Sequence, residues 1–176
     1  MLKIYYPDKK IKYCAISQIK TPIGKMIAGA VDKGICLLEF DEEFKKEKTG
    51  GWLSGKNISD QNIENHFENL NKQLKEYFDG KRKIFDLPLV IDGTEFQKMT
   101  WEVLLKIPYG ETISYEKQAA LMNKPKAVRA AANANAANKI GIIIPCHRVI
   151  AKNGKLGGYA GGVHRKEYLL NLENKI

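Results

Sequence analysis

The sequence predicts an α/β protein of the α+β kind, in which a small antiparallel sheet with one helix precedes a mainly helical second half. Two patterns lead to this prediction. Short apolar segments alternate with turn residues over the first 40 positions, and helix-capping motifs occur after residue 90. The chain has 176 residues, of which 44% are hydrophobic and 28% charged, so it can bury a core without disulfides or metal ions. We expect one domain at 1–90 and a second at 91–176.

Residues 1–90 are predicted to form a β-meander followed by a helix. Turn residues divide the early segment into short strands. The predicted strands are Ile11–Ile19, Met26–Val31 and Ile35–Phe40. A helix is expected from about Asp60 to Phe78, because its apolar residues recur on one face. We expect the polar stretch 41–57 to be a solvated loop and residues 81–93 to be an extended linker.

The second half is predicted to contain a helix-turn-helix. Thr94 and Gln97 form a capping box that opens a first helix. Ser114 caps a short helix, Tyr115–Met122, and a tight turn leads to a third helix at about Lys126–Ala137. Two short helices joined by so tight a turn are typical of DNA-binding proteins.

A buried strand is expected at Ile140–Ile144, directly before Pro145 and Cys146. Because proline favours extended geometry in the residue before it, the strand is expected to continue up to the cysteine. A Gly-rich loop, Gly154–Gly162, then precedes a last helix at Val163–Glu173. The prediction therefore places a cysteine at the end of a strand.

The charge distribution favours a polyanionic partner. The net charge is +9, and residues 91–176 hold 13 basic and 7 acidic side chains. A basic half is typical of proteins that bind nucleic acids. A lysine-rich surface that keeps the protein in solution explains the same excess equally well.

The sequence argues against a membrane or secreted protein. No apolar run approaches the roughly 20 residues that span a bilayer. The first ten residues lack the apolar core of a secretory signal, so we expect a cytoplasmic protein. Cys14, Cys36 and Cys146 are too widely spaced for a disulfide framework. With His66, the first two lack the paired spacing of a zinc site, so no metal is expected.

The segment Pro145–Arg148 carries the strongest chemical signal. The thiolate is the reactive form of cysteine, and a neighbouring base or positive group lowers its pKa. Cys146 beside His147 therefore fits a nucleophile. A single buried cysteine is more often an inert apolar residue, so the residue pattern by itself leaves both interpretations open.

The surrounding motifs resemble those of a known family. They are Pro-Cys-His-Arg-Val at 145–149, Ser114-Tyr115, Arg129, Asn138 and Gly-Tyr-Ala-Gly-Gly at 158–162. At these positions along the chain the motifs resemble those of the O6-alkylguanine-DNA alkyltransferases, also called methylated-DNA–protein-cysteine methyltransferases. The resemblance covers about residues 93–173 in register. The first part of the chain is similar in outline, which implies a ribonuclease-H-like sheet and helix.

The resemblance implies a single-turnover DNA-repair reaction at Cys146. In this family the cysteine takes an alkyl group, mainly methyl, from O6 of guanine and keeps it, so no cofactor is needed. His147 is implied as the base that deprotonates Cys146 through a water molecule, and Glu173 as the carboxylate that orients His147. Arg148 is expected to pair with an acid in the core. The implied partner is double-stranded DNA carrying O6-alkylguanine, bound by a monomer; activity on O4-alkylthymine stays open.

Substrate-binding residues also follow from the resemblance. The guanine must leave the duplex to reach a buried cysteine, and Arg129 is implied to fill the vacated place in the stack. Tyr115 is implied to crowd the phosphate and then to hydrogen-bond the flipped base. Asn138 is implied to tie the helix-turn-helix to the active-site strand. The implied pocket wall includes Val149, Tyr159 and Ala160.

The third predicted helix favours binding in the minor groove on independent physical grounds. Six of its residues between positions 130 and 137 are alanine. Small side chains let a helix approach the floor of a groove that is only about 6 Å wide. A leading arginine then suits an intercalating side chain. Alanine is also the best helix former, and some of these residues must face the core.

Two other functions fit part of the pattern. A DNA-binding regulator that has lost transfer activity would keep the helix-turn-helix. A cysteine hydrolase would use Cys146, His147 and Glu173, but it needs an oxyanion hole and leaves the helix-turn-helix unexplained. Substitution of Cys146 by alanine distinguishes a transferase from a regulator. Only a transferase has a methyl-transfer activity that this substitution abolishes while the affinity for DNA stays largely intact.

Overall fold

The chain forms two compact units, Met1–Asp92 and Gly93–Ile176, called unit 1 and unit 2 below. The computed structural model describes residues 2–42, 53–54 and 61–174, so most of the expected loop at 41–57 lies outside the described residues. Within these ranges, no helix has both the length and the apolar character that crossing a membrane requires.

Unit 1 contains a six-stranded sheet and one helix. Its elements are β1 Lys3–Tyr5, β2 Tyr13–Thr21, β3 Gly24–Val31, β4 Gly34–Phe40, β5 Leu53–Ser54, α1 Gln61–Phe78 and β6 Pro88–Val90. The strands lie in the order β1-β6-β4-β3-β2-β5. The predicted meander and long helix are therefore confirmed, with their ends displaced by one or two residues.

The sheet is mixed rather than purely antiparallel, which corrects one detail of the prediction. β2, β3 and β4 pair antiparallel, whereas the β1–β6, β4–β6 and β2–β5 pairs are parallel. The segment 81–93 supplies β6 instead of forming only a linker. Its three residues are too few to show a strand period. α1 lies in the connection between β4 and β6, and parallel pairing needs a crossover of that length.

Gln73 of α1 binds the backbone of the segment that leads into β6. Its side chain is buried, its Nε2 donates to the Asp86 carbonyl at 2.8 Å, and its Oε1 accepts from the Asp86 N–H at 2.7 Å. Both backbone groups of Asp86 are thereby satisfied just before the strand begins. The apolar face of α1 packs on the sheet through Ile63, Leu70, Leu74 and Tyr77.

Unit 2 contains the predicted helix-turn-helix. Its elements are α2 Glu95–Leu105, β7 Ile113–Ser114, α3 Tyr115–Leu121, α4 Val128–Ala136, a 3₁₀ helix Cys146–Arg148, β8 Val149–Ile150 and α5 Val163–Asn174. Thr94 and Gln97 form the capping box of α2. Ser114 Oγ accepts from the Lys117 N–H at 3.1 Å and caps α3. α2, α3 and α4 pack against one another.

The apolar segment 140–144 is a turn, so the prediction of a strand that ends at Cys146 is wrong. Ile144 N donates to the Ile140 carbonyl at 3.0 Å, and Ile142 has a φ of 68°. The segment is buried, and burial without periodicity does not distinguish a strand from a turn. Cys146 begins the 3₁₀ helix instead. A strand, β8, follows that helix and pairs parallel with β7.

The turn between β3 and β4 yields a stability prediction. Gly34 has a φ of +149°, and a Cβ at this position would overlap with the carbonyl oxygen of Pro88 in β6. We expect Gly34→Ala to lower the free energy of unfolding in urea by at least about 2 kcal/mol, because the β4–β6 contact must open. Gly154→Ala is the control: φ is +80° with nothing within 4 Å, so left-handed strain alone should cost about 1 kcal/mol. Equal losses would contradict the prediction.

Candidate active site

A cavity of about 330 Å³ in unit 2 contains Cys146 in its lining. This volume is in the range of small-molecule sites. The lining residues are Tyr115, Ala132, Asn133, Asn135, Ala136, Cys146, Gly158, Tyr159 and Ala160. The cavity therefore brings together α4, the 3₁₀ helix and the Gly-rich loop, and four of the residues expected at the site lie in its wall.

Asn138 connects Cys146 to the turn that precedes it. The side chain is buried; its Nδ2 donates to the Ile144 carbonyl at 2.8 Å and to Cys146 Sγ at 3.4 Å. Its Oδ1 accepts from the Ile140 N–H at 3.0 Å. One amide therefore closes the turn at both ends and contacts the sulfur.

The two residues after Cys146 form a buried network with Glu173 of α5. His147 Nε2 lies 2.9 Å from Glu173 Oε1. Arg148 donates from Nε to Glu173 Oε2 at 2.9 Å and from Nη2 to Oε1 at 3.0 Å. The Gly110 N–H donates to Oε2 at 3.2 Å. Arg148 is thus paired with a core acid, as expected, and the carboxylate has four hydrogen-bond donors around it.

This network fixes the protonation state of the histidine. Burial raises the pKa of Glu173, but hydrogen bonds from His147 and Arg148 outweigh burial and bring that pKa down to about 2. Burial lowers the pKa of His147, against the opposing effect of Glu173. At neutral pH the imidazole is therefore neutral, with its proton on Nε2 facing the carboxylate. The buried Nδ1 has no hydrogen-bond partner among the described residues, so it presents a lone pair.

Cys146 is a thiol at rest. Burial raises the pKa of the Cys146 thiol, and the Asn138 hydrogen bond and the Lys166 charge lower it by less. A cysteine in such an environment needs a base before it can attack. The neutral imidazole of His147, the next residue, is a group of that type.

Lys166 belongs to the site, although the sequence analysis does not identify it. It is fully buried on α5, and its Nζ donates to the Val149 carbonyl at 2.6 Å. Burial lowers its pKa to about 8. A periodic signal could have found it, because Lys166 and Glu173 share the buried stripe of α5 with Leu169 and Leu170. Two charges at apolar positions of a helix indicate a buried polar site.

Lys166 also connects β8 to the Gly-rich loop. Its Nζ lies 3.4 Å from the Gly158 carbonyl and 6.0 Å from the centre of the Tyr115 ring. Val149, which the resemblance implies in the pocket wall, accepts through its carbonyl from Lys166. Val149 itself is fully buried and does not line the cavity.

Arg129 lies away from the cavity wall. It is exposed near the start of α4, whereas four later residues of the same helix line the cavity, namely Ala132, Asn133, Asn135 and Ala136. None of these four residues was expected at the site from the sequence. Asn133 and Asn135 are polar residues within an alanine-rich helix, and this was the sequence signal that could have indicated a site on α4. Residues 2–42 and 61–174 hold no group of three or more His, Cys, Asp or Glu side chains that could bind a metal ion.

Family models match both units. The ribonuclease-like domain of 6-O-methylguanine DNA methyltransferase matches residues 13–91, and its DNA binding domain matches residues 95–175. The methylated-DNA–protein-cysteine methyltransferase of Methanosarcina barkeri is 44% identical over 156 residues, which are 88% of this chain and 94% of the relative. The constitutive methylated-DNA–protein-cysteine methyltransferase of Bacillus subtilis is 44% identical over 160 residues, covering 88% of this chain and 92% of its own length.

Solved structures agree with this match. The crystal structure of Mycobacterium tuberculosis O6-methylguanine methyltransferase superposes with a TM-score of 0.79 at 38% identity, covering 92% of this chain and 93% of that one. The crystal structure of Mycobacterium tuberculosis OGT in complex with DNA gives a TM-score of 0.78 at 38% identity, with 92% of each chain covered.

The helix-turn-helix and the cysteine beside a histidine–carboxylate pair define a class of protein that binds DNA and carries a nucleophile in the same unit. The relatives that match over most of the chain have one activity in their names. The chain belongs to the methylated-DNA–protein-cysteine methyltransferases.

Glu173→Gln tests the buried network. At neutral pH we expect a loss of about 3 kcal/mol in the free energy of unfolding, because the buried Arg148 loses its counter-charge. In the parent, the pKa of about 2 in the folded state lies below that of a free carboxyl. Its contribution to stability is therefore complete above about pH 4.5 and is lost as the pH falls toward 2.

The measurement is urea unfolding of parent and variant at about pH 3, 5 and 7, where the variant should lack this acid-labile contribution. Glu167→Gln, an exposed residue of the same helix, is the control and should change stability by no more than about 0.5 kcal/mol. An acid dependence that is the same in the parent and in Glu173→Gln would refute the assignment.

Lys166→Met tests the electrostatic role of the buried lysine. Without the positive charge, the pKa of the Cys146 thiol should rise. The pH–rate profile for iodoacetamide labelling of the Cys146 peptide should therefore move to higher pH. Lys152→Met, in the exposed loop after β8, should leave the profile unchanged. Coincident profiles for Lys166→Met and the parent would contradict the prediction.

Proposed function

We propose that this protein repairs DNA by transferring an alkyl group, mainly methyl, from O6 of guanine to the sulfur of Cys146. The observation that carries the proposal is the position of Cys146, in the wall of a base-sized cavity and adjacent in sequence to a buried histidine–carboxylate pair. The names of the relatives state the same transfer, from methylated DNA to a protein cysteine.

The proposed reaction begins with removal of the thiol proton. His147 Nδ1, the free lone pair of the imidazole, takes the proton from Cys146 through a water molecule, and Glu173 stabilises the imidazolium that forms. Asn138 Nδ2 and the charge of Lys166 stabilise the developing thiolate. The buried pair therefore supplies a base that is neutral, and so ready to accept a proton, at physiological pH.

The transfer itself is an in-line displacement at the alkyl carbon. The thiolate forms a C–S bond while the C–O6 bond breaks, and the bonding electron pair leaves with the guanine oxygen. The guanine anion then takes up one proton. The thioether is stable, so each protein molecule acts once and needs no cofactor. Tyr115 and Ala160 line the cavity, and in this proposal the hydroxyl of Tyr115 and the backbone around Ala160 hydrogen-bond the base.

Access to the cavity requires that the damaged nucleotide leave the helix stack, at a cost of a few kcal/mol that is lowest for a damaged pair. The alanine-rich surface of α4 can approach the floor of a minor groove, and Arg129 at its exposed start can occupy the space that the base leaves. Asn138 connects this helix to the turn before Cys146.

The proposed partner is double-stranded DNA carrying O6-alkylguanine, bound by a monomer in the cytoplasm. The net charge of +9, with the excess concentrated in residues 91–176, favours attraction to phosphates. The affinity for duplex DNA should therefore fall steeply as the salt concentration rises.

Intact mass spectrometry with Cys146→Ala tests the proposal. After mixing with a duplex that holds one O6-methylguanine, the parent should gain one methyl group, mapped to the Cys146 peptide, and the oligonucleotide should become unmodified. Cys146→Ala should gain no mass, while its affinity for the duplex stays within about threefold of the parent value. Cys36→Ala, a buried cysteine of unit 1, is the matched control and should transfer normally. A parent that binds the duplex without gaining mass would refute a transferase and support a lesion-binding regulator.

A further inference from the structure

A buried pair of amides joins the two helices of the helix-turn-helix. Gln118 of α3 is fully buried, and Asn135 of α4 is 6% exposed. Gln118 Nε2 donates to Asn135 Oδ1 at 2.9 Å, and Asn135 Nδ2 donates to Gln118 Oε1 at 2.8 Å. Gln118 Nε2 also lies 3.5 Å from the Thr100 carbonyl of α2. Directional bonds therefore connect all three helices that pack together in unit 2.

Apart from this pair, few side-chain contacts of α4 oppose a rotation of the helix about its own axis. Besides Asn135, the buried residues of α4 are Ala131 and Ala134. Interlocking of helices depends on side chains that form ridges, and apolar contact between methyl groups has no directional preference. Hydrogen bonds weaken steeply when their angle falls below about 120°. The amide pair, with the bond of 2.8 Å from Trp101 Nε1 to the Ala134 carbonyl, therefore supplies the orientational constraint.

The rotational setting of α4 matters because one face of the helix serves the substrate. Four residues of α4 line the cavity: Asn135 of the amide pair, and the three residues Ala132, Asn133 and Ala136. Arg129 precedes these three by three, four and seven residues, the spacing of one helical face. A rotation of α4 about its axis would therefore displace the cavity wall and Arg129 together.

We propose that Gln118 and Asn135 are positioning residues, whose paired amides fix the rotation of α4 so that Arg129 and the cavity wall meet a base flipped from duplex DNA. This inference rests on the proposed function. Each amide is hydrogen-bonded to the other; Asn135 lines the cavity, whereas Gln118 does not, and neither takes a step in the proposed transfer. The pair acts through α4, and its contribution is therefore expected to depend on whether the substrate is part of a duplex.

Leucine substitutions separate this role from a general contribution to folding. Gln118→Leu and Asn135→Leu each leave one buried amide without its partner, so both variants should melt at lower temperature. The double variant removes both amides and should recover much of the parent's melting temperature. We nevertheless expect it to repair an O6-methylguanine duplex at least about tenfold more slowly, because small displacements of positioning groups cost large factors in rate.

The comparison substrate is the free base O6-benzylguanine, which enters the cavity without a duplex. Asn135 also lines the cavity, so the double-leucine variant is expected to slow benzyl transfer to Cys146 too. That fall should be at least about fivefold smaller than the fall in duplex repair, since Arg129 and the groove are not involved in the free-base reaction. The ratio of the duplex rate to the free-base rate is thus the readout, and a merely structural role for the amides would not change that ratio.

Two further variants serve as controls. Val103→Ala lowers stability in the same three-helix cluster without touching the amides, so it should leave the ratio unchanged. Exchanging the two residues, Gln118→Asn with Asn135→Gln, keeps both amides and their combined length. This exchange should return the duplex rate to within about threefold of the parent, because the reciprocal hydrogen bonds can form again.

Two outcomes would overturn the inference. One is a double-leucine variant that repairs the duplex at the parent rate, and the other is an equal fall in its duplex and free-base rates. If the double-leucine variant does not fold, Gln118→Leu alone, measured below its melting temperature, decides, because Gln118 does not line the cavity. A fall of at least about fivefold in the ratio of duplex rate to free-base rate supports the role, and a parent-like ratio refutes it. Failure of the parent to transfer from either substrate would refute the proposed function instead, before any variant is compared.

Discussion

The carboxylate of Glu173 is the single group on which the geometry of unit 2 depends most. It receives hydrogen bonds from His147, Arg148 and the Gly110 N–H, which come from the 3₁₀ helix and from the loop after α2. A buried carboxylate is stable only when such donors surround it, and buried basic groups equally need their acid. The orientation of the imidazole next to Cys146 and the attachment of α5 are therefore one electrostatic arrangement, and a change that affects one necessarily affects the other.

The part of the cavity wall that α4 forms is stabilised by a different kind of interaction. α4 presents mostly methyl groups, so charge plays little part in its packing, and neutral hydrogen bonds from Gln118 and Trp101 set its orientation. A smooth surface suits close approach to a groove, but it cannot interlock with neighbouring helices. The site thus combines a charged network next to Cys146 with a neutral network that holds α4, the helix proposed to face DNA.

Local signals in the sequence predicted the parts of the fold that local forces determine. The capping residues Thr94 and Ser114 begin α2 and α3 as expected, because a cap acts within one turn of helix. The turn at 140–144 and the strand β6 were not predicted, since both depend on distant partners that a short apolar segment does not reveal. In the site, sequence motifs pointed to Cys146 and His147, whereas Lys166 was missed because its signal is only a charge within the apolar stripe of α5 and belongs to no motif.

The parallel pairing of β1 with β6 has a consequence for the order in which unit 1 folds. β2, β3 and β4 are neighbours along the chain and can pair as soon as they are synthesised, whereas Lys3 pairs with Pro88, about 85 residues away. Closing so long a loop carries a large entropic cost, which must be met before the new contacts contribute. We therefore expect the meander to assemble first and β1 to dock last. Until residue 90 has left the ribosome, the β4 edge of the nascent sheet stays uncovered and open to pairing with another chain.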